Sequence, residues 1–330
     1  QCYVVVSELA KNTTGKKKIV VASILAALAV SVNVTQVNAE KFGNNSAKSG
    51  SIVIWGSKGT PASGYHEDGI AIGQAANVTA NGGIAIGRDA TSAQNAVTLG
   101  WGSNGSGYGA LVLGTTAEQY KTGDASRVAS ASGTYAVSVG AGAQAAQNYS
   151  MAFGTNTTAN GEYAVAVGYK SSASSESAIS IGKESKAENQ NAIAIGIDSN
   201  AKTTDSIAIG NTAKATGAVS TALGARAEAL GTSAVAVGIN AKAKKDQATA
   251  LGFNAQANEK NALALGFGAT SSLENAVALG SASTTTTNAT SQGSFAIGCK
   301  TISWNGAPTV SGTGMQVSVG AAVAERQIKN

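Results

Sequence analysis

Residues 191–224 read NAIAIGIDSNAKTTDSIAIGNTAKATGAVSTALG, and one phrase recurs in them: a bulky residue, alanine, an aliphatic residue and glycine. The phrases close at Gly196, Gly210 and Gly224, which are 14 residues apart. The same phrase extends in both directions, and from 140 to 280 every step is 14 residues. Its closing glycines are Gly73, Gly87, Gly100, Gly114, Gly140, Gly154, Gly168, Gly182, Gly196, Gly210, Gly224, Gly238, Gly252, Gly266, Gly280, Gly298 and Gly320. Such a repeat predicts a solenoid, in which each unit packs only on its neighbours.

Each repeat contains two short alternating patterns. The phrase before glycine alternates bulky and small residues, which is the period of a β-strand. After Gly196, small residues Ser199 and Ala201 flank the polar Asn200, which indicates a second strand with a polar outer face. We expect each closing glycine to form a turn with positive φ. The sequence therefore predicts an all-β fold of about 14-residue coils with two parallel sheets.

The alternation also predicts which face is buried. We expect Ile193 and Ile195 to fill the roll and Ala194 to point out of it. The equivalent alanines would then form a flat outer column, which we interpret as a contact between subunits because small residues let backbones approach closely. An exposed alanine stripe on a monomer is the alternative.

The first 39 residues are typical of an export signal. Basic residues at 16–18 precede an apolar segment at 19–34, and we expect cleavage between Ala39 and Glu40. The preceding string QCYVVVSELAK resembles the end of the extended signal peptide region of autotransporters, truncated at its N-terminus. We therefore assign 1–39 to the signal, 40–68 to a linker and N-terminal cap, 69–298 to the repeats, and 299–330 to the end of the array.

The composition argues against several functions. The first 39 residues contribute +3 of the net charge of +5, which leaves +2, and no arginine-rich patch with aromatic residues predicts nucleic-acid binding. The chain has one histidine, His66, so a metal centre or a Ser/His/Asp triad lacks the residues that it needs. Beyond Cys2 in the leader, Cys299 is the one cysteine, and we expect it to be a small buried side chain. We predict no catalytic residue, cofactor or metal.

At Asn191–Gly196, Asn261–Gly266 and Asn275–Gly280 the phrase resembles the head repeat of the trimeric autotransporter adhesins, the YadA-like family. The resemblance covers about 69–320 and implies a left-handed parallel β-roll assembled as a homotrimer. The string ERQI at 325–328 is similar to the opening of that family's neck. A stalk and an outer-membrane anchor are then expected to follow in the full-length protein.

The resemblance implies a bacterial surface adhesin head that attaches by many weak, non-catalytic contacts to an extracellular-matrix protein such as collagen, to host cells or to neighbouring bacteria. A self-associating surface-layer repeat without a host ligand is the alternative. An enzyme on a solenoid is disfavoured because no catalytic cluster accompanies the 14-residue period. A calcium-binding roll needs an aspartate-rich nine-residue repeat. The sequence assigns no ligand-binding residues, and it leaves 115–133 open as a degenerate coil or a loop.

Overall fold

A computed structural model of the chain describes residues 52–54, 66–116, 128–286, 294–297, 300–303 and 317–319. These residues form a parallel β-solenoid, which confirms the predicted all-β class. One sheet contains 17 strands and the other contains 15. Each coil contributes a three-residue strand to the first, called here the long-strand sheet, and a two-residue strand to the second, the short-strand sheet.

The long-strand sheet is parallel throughout, and each strand pairs with the equivalent strand of the next coil. Its strands are Ile52–Ile54, Ile70–Ile72, Ile84–Ile86, Val97–Leu99, Leu111–Leu113, Val137–Val139, Met151–Phe153, Val165–Val167, Ile179–Ile181, Ile193–Ile195, Ile207–Ile209, Thr221–Leu223, Val235–Val237, Thr249–Leu251, Leu263–Leu265, Val277–Leu279 and Val317–Ser318.

The short-strand sheet is parallel in the same way. Its strands are Asn77–Val78, Thr91–Ser92, Asn104–Gly105, Ser130–Ala131, Gln144–Ala145, Thr158–Ala159, Ser172–Ala173, Lys186–Ala187, Asn200–Ala201, Lys214–Ala215, Glu228–Ala229, Lys242–Ala243, Gln256–Ala257, Thr270–Ser271 and Thr284–Thr285.

The interior of the roll is filled by alanine, which corrects the expected orientation of the phrase. Ala194 is 0% exposed, whereas Ile193 and Ile195 on either side of it are half-buried on the outside. The expectation that the isoleucines fill the roll and the alanines form an outer column is therefore wrong. The reason is the small space between the two sheets. They are joined by tight turns and approach so closely that each inner position has room for little more than a methyl group. Ala201 of the facing strand is also fully buried.

Backbone hydrogen bonds run along the solenoid from coil to coil, in the turns as well as in the strands. Ile193 N–H donates to the Ser206 carbonyl at 2.9 Å, and Asp198 N–H in the following turn donates to the Lys183 carbonyl at 3.0 Å. A buried serine such as Ser199 donates its hydroxyl to the turn carbonyl of Gly196 at 3.0 Å. Most buried hydroxyls of a coil are thus satisfied locally or by a neighbouring coil, whereas Thr98 Oγ1 and Ser220 Oγ have no hydrogen-bond partner among the described residues.

Two independent constraints require glycine at the end of the long strand. Gly196 has a φ of +129°, a backbone conformation that side chains resist. A Cβ atom at Gly196 would also lie 2.5 Å from the carbonyl oxygen of Gly210 in the next coil. The positive φ expected from the sequence is present along the whole ladder from Gly73 to Gly280, with the exception of Gly114.

At two positions where an inner residue is larger than alanine, a glycine lies against it. Thr98 replaces the inner alanine of its coil, and the facing position is Gly105, whose added Cβ would lie 2.2 Å from the Thr98 hydroxyl oxygen. Val78 is likewise matched by Gly83, whose added Cβ would lie 2.9 Å from Val78 Cγ1. The interior volume of a coil is therefore limited: Thr98 and Val78 are accommodated against glycine, and the smaller Ser138 and Ser180 are accommodated with alanine still opposite them.

The strands on either side of the long step between Gly114 and Gly140 belong to adjacent coils. Strand Leu111–Leu113 pairs directly with Val137–Val139, and Asn104–Gly105 pairs directly with Ser130–Ala131. One coil therefore spans the whole step, and the additional residues are inserted into it. Residues 117–127, in the middle of that insertion, lie outside the described residues.

The C-terminal part of the array departs from the repeat. Ser294–Ile297, which precedes Gly298, pairs antiparallel with Lys300–Ser303 rather than stacking on the roll. Val317–Ser318 then adds to the long-strand sheet, in parallel to Val277–Leu279. At the other end, Ile52–Ile54 lies within the segment predicted as linker and cap, and it pairs in parallel with Ile70–Ile72.

The matched pair Thr98 and Gly105 gives a stability test of the limited interior volume. We expect Gly105→Ala to lower the free energy of unfolding by about 1–3 kcal/mol, because it overpacks the coil. Adding Thr98→Ala should restore most of the loss, since an alanine would then face an alanine as in most other coils. Chemical denaturation of both variants measures this. Gly268→Asn is the control, because an added Cβ there meets nothing within 4 Å and Asn254 holds the same position one coil earlier. Equal stability of the single and double variants would contradict the pairing.

Candidate interaction surfaces

Positions within a coil are counted here from the closing glycine, which is position 0. The outward residues of the long strand are then positions −3 and −1, and the outward residue of the short strand is position +4. The turns that join the two strands carry position −5 on one edge of the roll and position +1 on the other.

The outer surface of the short-strand sheet, called here the polar face, is a column of polar side chains. At position +4 it carries Asn77, Thr91, Asn104, Ser130, Gln144, Thr158, Ser172, Lys186, Asn200, Lys214, Glu228, Lys242, Gln256, Thr270 and Thr284. Its lysines are never adjacent, so equivalent strands about 4.8 Å apart do not bring two of them together. Lys242 Nζ instead lies 3.4 Å from Glu228 Oε2 of the neighbouring coil.

A shallow cavity of about 220 Å³ lies on this polar face. Its lining residues are Thr212, Lys214, Arg226, Glu228, Asn240 and Lys242. Arg226 Nε donates to Asn240 Oδ1 at 2.6 Å, and the Lys242–Glu228 ion pair occupies the other wall. The cavity therefore contains one ion pair and two further positive side chains, Lys214 and Arg226, and a surface ion pair of this kind contributes little to stability.

The outer surface of the long-strand sheet, called here the apolar face, has the opposite character. Its outward residues are the first and third residues of the long strands, almost all of them Ile, Val or Leu. In the described part of the chain, every exposed large apolar side chain lies at position −5, −3, −1 or +1, with the exceptions of Tyr108, Val128 and Leu230. We call the apolar face, together with the exposed apolar residues at its two edges, the apolar side of the roll; other edge residues, such as Asn191 and Asp205, are polar.

A ladder of tyrosines lies at the −5 edge of this apolar side. The rings of Tyr135 and Tyr149 are 5.9 Å apart, and those of Tyr149 and Tyr163 are stacked in parallel at 5.2 Å. Tyr108 meets Tyr135 edge-on at 5.5 Å. Tyr135, Tyr149 and Tyr163 all have φ between 54° and 59°, which bulky residues rarely adopt. Ring stacking, which contributes about 0.5–1.5 kcal/mol per pair, offsets that strain.

The ladder changes the acidity of one of its members. The negative charge of a nearby Tyr108 phenolate raises the pKa of Tyr135 above the ordinary value of 10.0, and desolvation, a hydrogen bond with Tyr108 and the charge of Tyr149 act in the same direction. The folded chain therefore holds this proton more tightly than the unfolded chain does. Its contribution to stability is complete below pH 10 and is lost as the pH rises through the raised pKa.

Replacement of Tyr108 tests this coupling. We expect Tyr108→Phe to shift the ionisation of Tyr135 to lower pH and to make the stability of the roll less sensitive to pH above 10. Phenolate absorbance during an alkaline titration, together with unfolding midpoints at each pH, measures both effects. Tyr169→Phe, outside the ladder, is the control. Unchanged titration curves in the Tyr108 variant would show that the rings do not interact in solution.

Several residues singled out by sequence do not come together as a site. His66 lies in a turn, half-buried between the array and the exposed Glu67 and Asp68. In the described part of the chain, no group of three or more His, Cys, Asp or Glu side chains is placed to hold a metal ion, and no helix there is long and apolar enough to span a bilayer. Ala39, Glu40 and Cys299 lie outside the described residues. The closing glycines do come together, as one continuous ladder of turns.

The tyrosine ladder and the apolar side were missed by the sequence analysis. The 14-residue spacing of Tyr135, Tyr149 and Tyr163 was a visible signal, because equal positions in successive repeats stack. The orientation of the phrase also had a signal: small residues occupy the inner positions of the second strand, such as Ser199 and Ala201. Two facing strands whose inner residues are both small leave the bulky residues no place except outside.

The fold and its surfaces define a class of protein, a repetitive β-solenoid head with separate apolar and polar sides. A family model described as the YadA head domain repeat matches residues 67–90, 131–157, 159–185, 173–199, 187–213, 204–227, 229–255 and 257–283. Together these ranges cover more than half of the chain, and the chain belongs to this family of adhesin heads, which is a non-enzymatic binding family.

A solved structure is also similar to the chain. It is described as the crystal structure of the collagen-binding domain of the Yersinia adhesin YadA. It is 22% identical, the match covers 67% of this chain and 85% of that one, and the TM-score is 0.25. No curated protein sequence matches the chain.

Proposed function

We propose that this chain is the head of a homotrimeric bacterial surface adhesin, exported and held at the outer membrane by a C-terminal anchor in the full-length protein. It attaches without catalysis to a host ligand or to neighbouring cells. Membership of the YadA head family supports the adhesin class. One observation supports the proposed assembly. Within the described residues, the exposed large apolar side chains lie almost entirely on the apolar side.

The apolar face explains the need for partner chains. A monomer would expose two columns of Ile, Val and Leu along the whole roll, and contiguous apolar surface of that extent marks an interaction site in soluble proteins. Three left-handed rolls around one axis would bury the apolar faces together. The alanine column that sequence reasoning offered for this contact is inside each roll, so the bulky residues at −3 and −1 take its place.

The same arrangement assigns the polar face to ligand binding. Three polar faces would point outward, and each repeats similar side chains at about 4.8 Å intervals. Such a surface binds through many weak contacts at once, and three copies multiply them. A matrix protein such as collagen is the first ligand to test, since the resemblance carried by the repeat implies it. The alternative is self-association between cells without a host ligand.

Two matched substitutions in one coil test the assembly. Leu265→Lys places a charge on the apolar face, and Thr270→Lys places the same charge on the polar face of that coil. We expect light scattering to give a trimer for the native chain and for Thr270→Lys, and smaller species for Leu265→Lys, because an unpaired charge is costly to bury. A native chain that stays monomeric, even when fused to a trimeric coiled coil, would overturn the proposed assembly.

Binding is measured on the same three proteins. Immobilised collagen and other matrix proteins should bind the native trimer, and loss of trivalency in Leu265→Lys should weaken apparent binding by about a hundredfold. A second assay measures the aggregation of cells that display the chain on their surface. A trimer that binds no matrix protein but aggregates such cells would favour the self-associating alternative, and a trimer that does neither would overturn the adhesin proposal for this head.

A further inference from the structure

We infer that the polar face contains a binding site for an acidic polysaccharide, a linear sugar polymer that carries sulfate or carboxylate groups. The site consists of four basic side chains, called here the basic patch: Lys214, Arg226, Lys242 and Lys244. The inference rests on the proposed adhesin function, in which the polar face contacts the ligand, and it names the chemical class of one ligand.

Positive charge on the polar side of the roll is concentrated in three coils. At positions +2, +4 and +6, the coils of Gly210, Gly224 and Gly238 carry the basic patch and one acidic residue, Glu228, which gives a net charge of +3. The three preceding coils are balanced at these positions, with Lys170, Lys186 and Lys202 against Glu184, Glu188 and Asp198. In the other coils that the structure describes, Asp89 is the one charged residue at these positions.

The shallow cavity of about 220 Å³ lies within the basic patch, and its positive side chains have donors to spare. Arg226 Nε donates to Asn240 Oδ1 at 2.6 Å, which holds the guanidinium in place. The two terminal nitrogens of Arg226 have no partner among the described residues, and neither has the exposed Lys214 ammonium. A planar guanidinium with both terminal nitrogens available matches the paired oxygens of a carboxylate or a sulfate.

The remaining charges lie at regular intervals around this cavity. Lys214 pairs in register with Glu228, and Glu228 with Lys242, so the two lysines are two coils apart, about 9.6 Å. Lys242 Nζ lies 3.4 Å from Glu228 Oε2, and an ammonium in such a pair retains further N–H donors. Lys244 is exposed and lies two residues beyond Lys242. An extended polymer that lies along the roll therefore meets several separate positive charges.

The side chains between the charges favour a sugar polymer over a nucleic acid or a small anion. Thr212, Thr216 and Asn240 present hydroxyl and amide groups, which form hydrogen bonds with sugar hydroxyls. The three coils carry no aromatic residue at positions +2, +4 and +6, whereas single-stranded nucleic acids are bound by stacking on aromatic rings. A small anion gains little from one exposed ion pair. A polymer makes several such contacts at once, and three chains multiply them.

Matched lysine substitutions test the basic patch. Lys214→Gln and Lys186→Gln each remove an exposed lysine at position +4, from short strands with the same Lys-Ala sequence. Lys214 has threonine at positions +2 and +6 of its coil, whereas Lys186 has Glu184 and Glu188 there. On immobilised heparin, we expect Lys214→Gln to weaken binding by about threefold to tenfold and Lys186→Gln to change it by less than about twofold. An equal loss in both variants would overturn a local site.

Removal of the one acidic residue in the patch should have the opposite effect. Glu228→Gln removes a repelling carboxylate and releases Lys242, so we expect it to bind heparin about threefold to tenfold more tightly. Glu184→Gln is the matched control, because Glu184 Oε1 is also ion-paired, with Lys183 Nζ at 3.7 Å, but lies outside the patch. Its affinity should stay within about twofold of the native chain. Unchanged or weaker heparin binding by Glu228→Gln would contradict the inference.

Three probes distinguish the chemistry of the ligand. Heparin carries sulfate and carboxylate groups, polygalacturonate carries carboxylates alone, and dextran is uncharged. We expect both acidic polymers to bind less as salt is added, because exposed charges are screened, and dextran not to bind. Tighter binding of heparin would identify a sulfated ligand, and tighter binding of polygalacturonate a carboxylated one. Dextran that binds as well as heparin, or a DNA duplex that binds more tightly than either acidic polymer, would overturn the inference.

The collagen and cell-aggregation assays on the same preparations separate this inference from the proposed function. A trimer that binds collagen or aggregates cells, but binds neither acidic polymer, overturns the polysaccharide site and leaves the proposed function in place. A monomeric chain that binds heparin through Lys214 supports the site, since all of its residues belong to one chain, and overturns the proposed assembly.

Discussion

The close approach of the two sheets inside the roll is the constraint on which the rest of the structure depends. Ala194 and Ala201 are fully buried, and an added Cβ at Gly105 would collide with Thr98. Ordinary stacked sheets are about 10 Å apart and interdigitate large side chains, but this interior accepts methyl and hydroxyl groups. A core that thin holds a larger aliphatic side chain only at isolated positions such as Val78 and Val112, so the bulky half of each phrase lies outside. The apolar face is thus a consequence of the small core.

The same constraint explains the strictness of the period. A coil can hold a large inner residue such as Val78 where a glycine, here Gly83, lies against it. The backbone ladder, in which the Ile193 N–H donates to Ser206 one coil later, keeps the strands of successive coils in register. A change in length is accommodated outside the strands. The step from Gly87 to Gly100 is one residue shorter and the segment between Leu113 and Val137 is longer, yet the strands on both sides remain paired.

Much of the fold could be predicted from the repeat, but the orientation of its side chains could not be read from one strand alone. The 14-residue spacing of glycines such as Gly196 and Gly210 gave the strands, the turns and the parallel stacking. An Ile-Ala-Ile strand can bury either face, and the choice depends on what faces it across the roll. The small residues at positions 199 and 201 decide the choice. If the opposite face of such a strand were buried, every side chain that now points into the core would point outward, and the reverse.

The candidate surfaces were harder to predict because they depend on columns rather than on motifs. A tyrosine at one turn is unremarkable, but Tyr135, Tyr149 and Tyr163 in successive coils form a stack that can offset an unfavourable φ at each position. A strained turn that persists over three coils indicates that the surroundings favour the ring. The part of the chain that the structure describes is polar on the outer face of one sheet and apolar on the outer face of the other, and its turns carry residues of both kinds. The two sheets of the solenoid therefore differ in chemistry along its length, although both are built from the same repeat.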